Sequence, residues 1–155
     1  MLKDVLVNLS VAEGRHPACD YAITLANAFN VYLEGVAIAY NLATPAIAGG
    51  CEVMLPGWIE EERDKAAERA KAAAAKLKGS ALREELSAET RVLNATVAQA
   101  PEIFAQIARG FDLSIVQQND PEQPAYENSI PLAALFESGR PVLMRRRRNV
   151  PAVAR

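Results

Sequence analysis

Short hydrophobic runs alternate along this chain with longer segments that carry apolar residues at helical spacing. Runs such as "DVLVNL" are rich in valine and leucine, which is typical of strands buried on both faces. We predict five strands, at residues 4–9, 31–40, 88–94, 112–117 and 141–144. We predict four helices between them, at residues 15–30, 58–79, 101–110 and 129–138. The chain is therefore expected to alternate between strand and helix throughout.

Proline, glycine and capping residues mark the ends of several predicted helices. Pro17 suits a first helical turn, where its missing N–H does little harm. Gly79 is placed to end the second helix, and Gly139 to end the fourth. Asn128 or Ser129 is expected to cap the fourth helix through its side chain.

Alternation of strands and helices predicts a parallel sheet, because a right-handed crossover must carry the chain from each strand to the next. The predicted fold class is α/β, a doubly wound, Rossmann-like sheet of five parallel strands with helices on both faces. Ligands of such sheets bind at the carboxyl ends of the strands, near the switch in strand order. Any ligand site is therefore expected at this edge.

The composition is that of one globular domain. The chain has 155 residues, of which 50% are hydrophobic and 23% are charged, and this length supports a single sizeable core. No apolar run approaches the roughly 18 residues of a membrane helix, and the first residues lack the pattern of a signal peptide. Cys19 and Cys51 form no CxxC motif. We expect a soluble cytoplasmic protein with no metal site and no membrane partner.

Charge is unevenly distributed between a domain at residues 1–144 and a basic tail at residues 145–155. The tail holds five arginines and no acid, which leaves 12 basic and 19 acidic residues, or a charge of −7, in the domain. An acidic domain disfavours nucleic acid as a partner. Only the cluster from Arg145 to Arg148 offers a surface for nucleic acid, and such a run is more often a solvated terminus.

Three well-known classes of this architecture lack their characteristic residues here. A phosphate-accepting receiver domain needs acids at the ends of the first and third strands, which read Asn8-Leu9-Ser10 and Leu93-Asn94. A dinucleotide-binding fold needs GxGxxG after the first strand, where "NLSVAEGRHP" has a single glycine. A Walker A loop is absent, and no nucleophile–base pair is visible. The sequence therefore predicts no catalytic residue.

The domain resembles the universal stress protein family over residues 3 to 144. The segment "KDVLVNLSVAEGRHPACDYAITLANAFNVYLEGVAIAY" is similar to the family's first strand, helix and second strand. "ARGFDLSIVQQ" resembles its fourth-strand motif, and "ALFESGRPVLM" resembles its final helix and strand. The resemblance implies the same α/β fold, and a homodimer formed through the edge of the fifth strand. The chain looks most like the domain of tandem members that lacks the ATP motif, so the basic end marks either a natural tail or a truncated second domain.

The ATP motif of the family is degraded in this chain. Members that bind ATP share a Gly-x2-Gly-x9-Gly-Ser/Thr pattern, whose three glycines correspond to Gln117, Asp120 and Asn128 here. The hydroxyl position is kept as Ser129, and an aspartate expected after the first strand is replaced by Ser10. Side chains in place of glycines would occupy the phosphate space. Asp120 and the nearby Glu122 would add charge of the wrong sign.

Two functions, and a weaker third, remain open from the sequence. The leading hypothesis is a non-enzymatic stress-response module that acts through dimerisation or a protein partner and needs no cofactor. The alternative is a nucleotide-binding switch, for ATP or AMP, or a weak ATPase, whose divergent site is predicted at Leu9, Ser10, Ala39, Gln117, Asn128 and Ser129. The third is a pocket for another small apolar or acidic ligand, with the loop at 41–57 as its lid.

Overall fold

The computed structural model describes residues 1–12, 16–41, 56–118 and 125–146 and contains five strands and four α-helices. The strands are β1 Asp4–Leu9, β2 Tyr32–Asn41, β3 Ala88–Thr96, β4 Leu113–Gln117 and β5 Val142–Arg145. The helices are α1 Pro17–Phe29, α2 Pro56–Arg83, α3 Ala100–Ala108 and α4 Ser129–Glu137, and a 3-10 turn at Ala125–Asn128 leads directly into α4. The predicted α/β class and alternating order are confirmed.

All neighbouring strands are parallel, in the order β3-β2-β1-β4-β5. The central strand β1 pairs with β2 on one side and with β4 on the other, so that Val7 lies opposite both Gly35 and Ile115. The strand order therefore reverses between β1 and β4. A crevice opens at the carboxyl ends of two strands placed in this way, where α/β sheets bind their ligands.

Each face of the sheet has its own hydrophobic core. Val5, Val7 and Leu9 of β1 pack with α1 and α2, whereas Leu6 packs on the other face with Phe104 of α3 and with α4. Successive side chains of a strand point to opposite faces, so a strand covered on both sides must be apolar at consecutive positions. This burial explains the aliphatic runs that made the strands predictable.

Helix α2 does not end at Gly79, as the sequence predicted, but continues to Arg83. Leu77 and Ala81, on either side of that glycine, are buried, and their burial outweighs the roughly 1 kcal/mol preference of an exposed helix position for alanine over glycine. The chain turns instead at Glu85, whose φ is 58°. The N–H groups of Glu85 and Leu86 bond back to the carbonyls of Leu82 and Ala81, which is the hydrogen-bond pattern of a Schellman motif.

The other observed ends lie within two residues of prediction, with one local difference at α4. Asn128 occupies the N-cap position, but its backbone is helical and its side chain makes no capping hydrogen bond, because the preceding 3-10 turn already coils the chain. β5 includes Arg145, whose guanidinium lies 5.3 Å from the centre of the Tyr21 ring. One arginine of the basic cluster thus belongs to the sheet, and residues 147–155 lie outside the described part of the chain.

Candidate functional site: the crevice at the carboxyl ends of the strands

The predicted site residues fall into two groups in the structure. Leu9 and Ala39 are buried core residues on the face covered by α1 and α2. Ser10, directly after β1, is also buried, but it takes part in a polar contact across the crevice. Gln117 is the last residue of β4, and Ser129 is the first residue of α4.

Glu127 joins the two sides of the crevice. It lies in the 3-10 turn before α4, and the Ser10 hydroxyl donates a hydrogen bond of 2.6 Å to its Oε2. The backbone N–H of Val11 donates one of 3.0 Å to its Oε1, and the Ser10 oxygen accepts the N–H of Ala12 at 3.2 Å. Both carboxylate oxygens of Glu127 are therefore occupied by donors at the end of β1.

The Glu127 carboxyl is buried without a compensating positive charge. Only 8% of the residue is exposed, and among the described residues no lysine, arginine or histidine forms a salt bridge with it. Burial raises the pKa of this carboxyl. The hydrogen bonds from Ser10 and Val11 act in the opposite direction but offset only part of that rise. A buried carboxyl with a raised pKa, placed in a crevice, marks a candidate functional position.

Gln117 lies at the crevice as well, on the other strand. Its backbone position pairs with Arg145 of β5, and strand alternation places its side chain on the same face as Leu113 and Ile115. The amide nitrogen of Gln117 is buried and has no hydrogen-bond partner within the described ranges. A half-buried side chain therefore stands where the family motif would have a glycine.

One cavity at this edge of the sheet, lined by described residues, is small. A cavity of about 160 Å³ is lined by Val11, Tyr40, Asn41 and Val97 and by Glu62, Ala66 and Arg69 of α2. Small-molecule sites usually have volumes of about 300–1,000 Å³. A larger groove, of about 750 Å³, lies between the last turns of α1 and α2, near the amino ends of the strands and away from the crevice.

A second small cavity, of about 60 Å³, lies between the end of β1, the start of α1 and α2, and a cysteine is one of its lining residues. Ser10, His16, Cys19 and Lys76 are among its lining residues. Burial, together with the adjacent Asp20, raises the pKa of the Cys19 thiol to about 12. This thiol is therefore protonated at neutral pH and is a poor nucleophile.

Further features bound what the described residues can hold. They contain no cluster of three or more histidine, cysteine, aspartate or glutamate side chains suited to a metal ion, and each helix among them is too short or too polar to span a bilayer. The predicted lid at 41–57 lies almost wholly outside the described residues, and so do Cys51, Asp120 and Glu122.

The central residue of the crevice, Glu127, was missed from the sequence. From the sequence, we considered Asp120 and Glu122 as the acids of the loop. We did not consider Glu127, which stands next to the predicted cap Asn128. One signal was available: a serine replaces the acid expected after β1, and an acid stands near the serine kept on α4. In this chain the carboxylate at the crevice comes from the segment before α4 and not from the end of β1.

Solved structures of universal stress proteins share this fold. UspA from Lactobacillus plantarum aligns with a TM-score of 0.71 at 15% identity, covering 92% of this chain and 97% of that one. A family member from Burkholderia pseudomallei has a TM-score of 0.63 at 18% identity, with 93% and 96% covered. The universal stress protein from Archaeoglobus fulgidus in complex with dAMP has a TM-score of 0.57 at 12% identity, with 92% and 96% covered.

Searches by sequence give no comparable result: neither the models of protein families nor the curated proteins match this chain. At such low identities the structural likeness concerns the fold. The resemblance to universal stress proteins that the sequence motifs indicated is confirmed at that level, over more than nine tenths of the chain.

Proposed function

We propose that this chain is a universal-stress-type module that acts through dimerisation or a protein partner in the stress response, is not an enzyme, and does not bind ATP tightly. The observation that carries the proposal is the contact of Glu127 with Ser10 and Val11. A side chain of the protein itself, Glu127, therefore occupies the crevice at the point where the strand order reverses. The two donors at the end of β1, the Ser10 hydroxyl and the Val11 N–H, are already bonded to this side chain.

The surface of α4 supports the dimer part of the proposal. Leu132, Leu135 and Phe136 are 50%, 46% and 77% exposed, and their spacing places them on one side of the helix. The adjacent β5 is an edge strand, which pairs with β4 and with no other strand among the described residues. An apolar helix face beside an open strand edge suits a second copy related by two-fold symmetry, whose own β5 would pair with this one.

Dimerisation is tested by sedimentation of the wild type and of Phe136→Glu. We expect a wild-type dimer and a variant whose dimer dissociates, because each two-fold contact would gain two buried charges. Leu82→Glu is the matched control, since Leu82 is 76% exposed on α2 and lies away from the proposed interface. Equal behaviour of the two variants would contradict an interface at α4.

A second candidate function is the nucleotide-binding switch, or weak ATPase, predicted as the alternative. It is favoured by the complex of the Archaeoglobus fulgidus protein with dAMP, and ATP would be its cofactor. In this chain such a ligand would have to displace Glu127 from Ser10 before reaching the end of β1.

Thermal unfolding with and without millimolar Mg-ATP separates the two functions, with ADP and AMP as controls. Our proposal predicts no rise in the unfolding temperature of the wild type. A nucleotide present at about 100 times its Kd would stabilise the fold by about 2.7 kcal/mol, which is a rise of about 5–10 °C for a chain of this size. Such a rise would establish the switch instead.

A further inference from the structure

Glu127 crosses the one place in the sheet where a ligand is expected. It reaches from the segment after β4 to the end of β1, and these are the two strands between which the strand order reverses. Residues 10 and 127 are separated by 117 positions in the chain. The contact is therefore made by the tertiary fold, across the crevice, and is not part of a local turn.

The donors that hold Glu127 form a small site for an oxyanion. One is the backbone N–H of Val11 and the other is the Ser10 hydroxyl, and each bonds to a different oxygen of the same carboxylate. Backbone N–H and hydroxyl groups are also the donors that proteins commonly offer to phosphate. If the carboxylate is taken away, the Val11 N–H loses its acceptor at a partly buried position, and the Ser10 hydroxyl beside it can turn to a new one.

We infer that the Glu127 carboxylate is a built-in ligand that keeps this crevice closed, and that a small oxyanion takes its place at Val11 and Ser10 when the side chain is removed. The inference rests on the proposed function, because it explains why the wild-type crevice rejects phosphate. Glu127 then determines specificity by occupancy as well as by charge. The ligand class is an oxyanion, such as inorganic phosphate or a carboxylate.

The electrostatics of the Glu127 position agree with a role of this side chain in keeping anions out of the crevice. The raised pKa of Glu127 means that its ionised form is disfavoured by burial. A glutamine would be expected to accept the same Val11 N–H without that penalty. An acid at this position therefore does more than satisfy a backbone donor: in its ionised form it also repels an incoming anion.

The test compares unfolding temperatures of four proteins in sodium phosphate and in sodium chloride of equal ionic strength. The proteins are the wild type, Glu127→Ala, Glu127→Gln and the control Glu137→Ala, which removes an exposed acid from α4. We expect phosphate to raise the midpoint of Glu127→Ala by about 3–6 °C when present at about ten times its Kd. The other three should not respond, because glutamine still fills the space in Glu127→Gln.

Acetate in place of phosphate separates the two sources of the anion. If acetate stabilises Glu127→Ala and phosphate does not, the site takes a carboxylate, and a phosphate response alone identifies a phosphate site. Either result supports the inference. If Glu127→Ala does not fold, Glu127→Ser provides the same comparison with a shortened side chain.

Two results would overturn the inference. One is a Glu127→Ala variant that responds to neither anion more than the wild type does. The other is a response that persists undiminished when Ser10→Ala is added to Glu127→Ala, because the anion would then bind elsewhere. Failure of the proposed function would give a different result, because Mg-ATP would then raise the unfolding temperature of the wild type, in which Glu127 is present.

Discussion

Two buried glutamates at opposite ends of the sheet differ in what holds them. Glu34, near the start of β2, is 6% exposed and forms a salt bridge of 2.8 Å with Arg91 of β3 and a hydrogen bond of 3.2 Å from the Tyr32 hydroxyl. Glu127, at the carboxyl ends of the strands, is 8% exposed, and its donors among the described residues are all neutral. The two residues are similarly buried, but Glu34 contacts a positively charged side chain, whereas Glu127 contacts a neutral hydroxyl and a backbone N–H.

This difference separates a structural carboxylate from one placed at a ligand site. Glu34 ties two adjacent strands together with a partner of opposite charge, at the end of the sheet where no ligand is expected. Glu127 spans the crevice, and burial raises the pKa of its carboxyl, which has no salt-bridge partner among the described residues. A fold under selection for stability alone would have little reason to keep an acid there.

The largest effect is expected from removal of the cation beside Glu34. Arg91→Met leaves the buried carboxylate with the Tyr32 hydroxyl alone, and we expect a loss of about 2 kcal/mol in the free energy of unfolding, reduced from the fully buried case because the Arg91 side chain is 48% exposed. The measurement is urea unfolding at pH 7. Lys71→Met, which breaks an exposed pair with Glu68, should cost less than about 0.5 kcal/mol. Equal losses would remove the distinction.

A smaller effect, dependent on pH, is expected at Glu127. Its pKa in the folded protein is raised above the ordinary value of 4.5, so the folded state holds its proton more tightly than the unfolded state does. The contribution of Glu127 to the free energy of unfolding therefore falls as the pH rises from below 4.5 through the folded pKa. Glu127→Gln has no titrating group at this position. Its free energy of unfolding relative to that of the wild type, measured in urea, should therefore increase from pH 4 to pH 7. Glu137→Gln should show no such trend.

The smallest effect is expected at an uncharged buried group. Ser114 of β4 is fully buried, and its hydroxyl has no hydrogen-bond partner in the part of the chain that the structure describes. Ser114→Ala should therefore be neutral or stabilising by about 0.5 kcal/mol. Ser138→Ala is the control, because the buried Ser138 hydroxyl donates to the Ala134 carbonyl, and its loss should cost about 1 kcal/mol. Destabilisation by Ser114→Ala similar to that of Ser138→Ala would contradict an orphaned hydroxyl.

Sequence patterns predicted the fold because burial on both faces leaves a direct trace in the inner strands β1, β2 and β4. They failed at Gly79, where helix propensity favoured a stop but the burial of Leu77 and Ala81 carried α2 onward. They also predicted a side-chain cap at Asn128 or Ser129, and Asn128, which occupies the N-cap position, makes no such hydrogen bond. Local propensity is a weak guide wherever tertiary packing decides an end.

The site was less predictable than the fold. Ser10 was identified from its position after β1, but its partner Glu127 lies 117 residues away. No periodicity or local motif encodes a pair at that separation, and only the meeting of β1 and β4 in the centre of the sheet brings the two together. The only hint in the sequence was Ser10, which stands where the resemblance to the family implied an acid.

The most direct test of the central claim is the Val11 amide, followed by NMR during titration of the wild type with Mg-ATP. Its N–H is bonded to Glu127, so we predict slow hydrogen exchange and a resonance that does not move at millimolar nucleotide. A Val11 resonance that shifts with added Mg-ATP, together with those of neighbouring Ser10 and Ala12, would show that nucleotide reaches the end of β1. The crevice would then be open, and Glu127 would be a displaceable side chain and not the ligand that closes it.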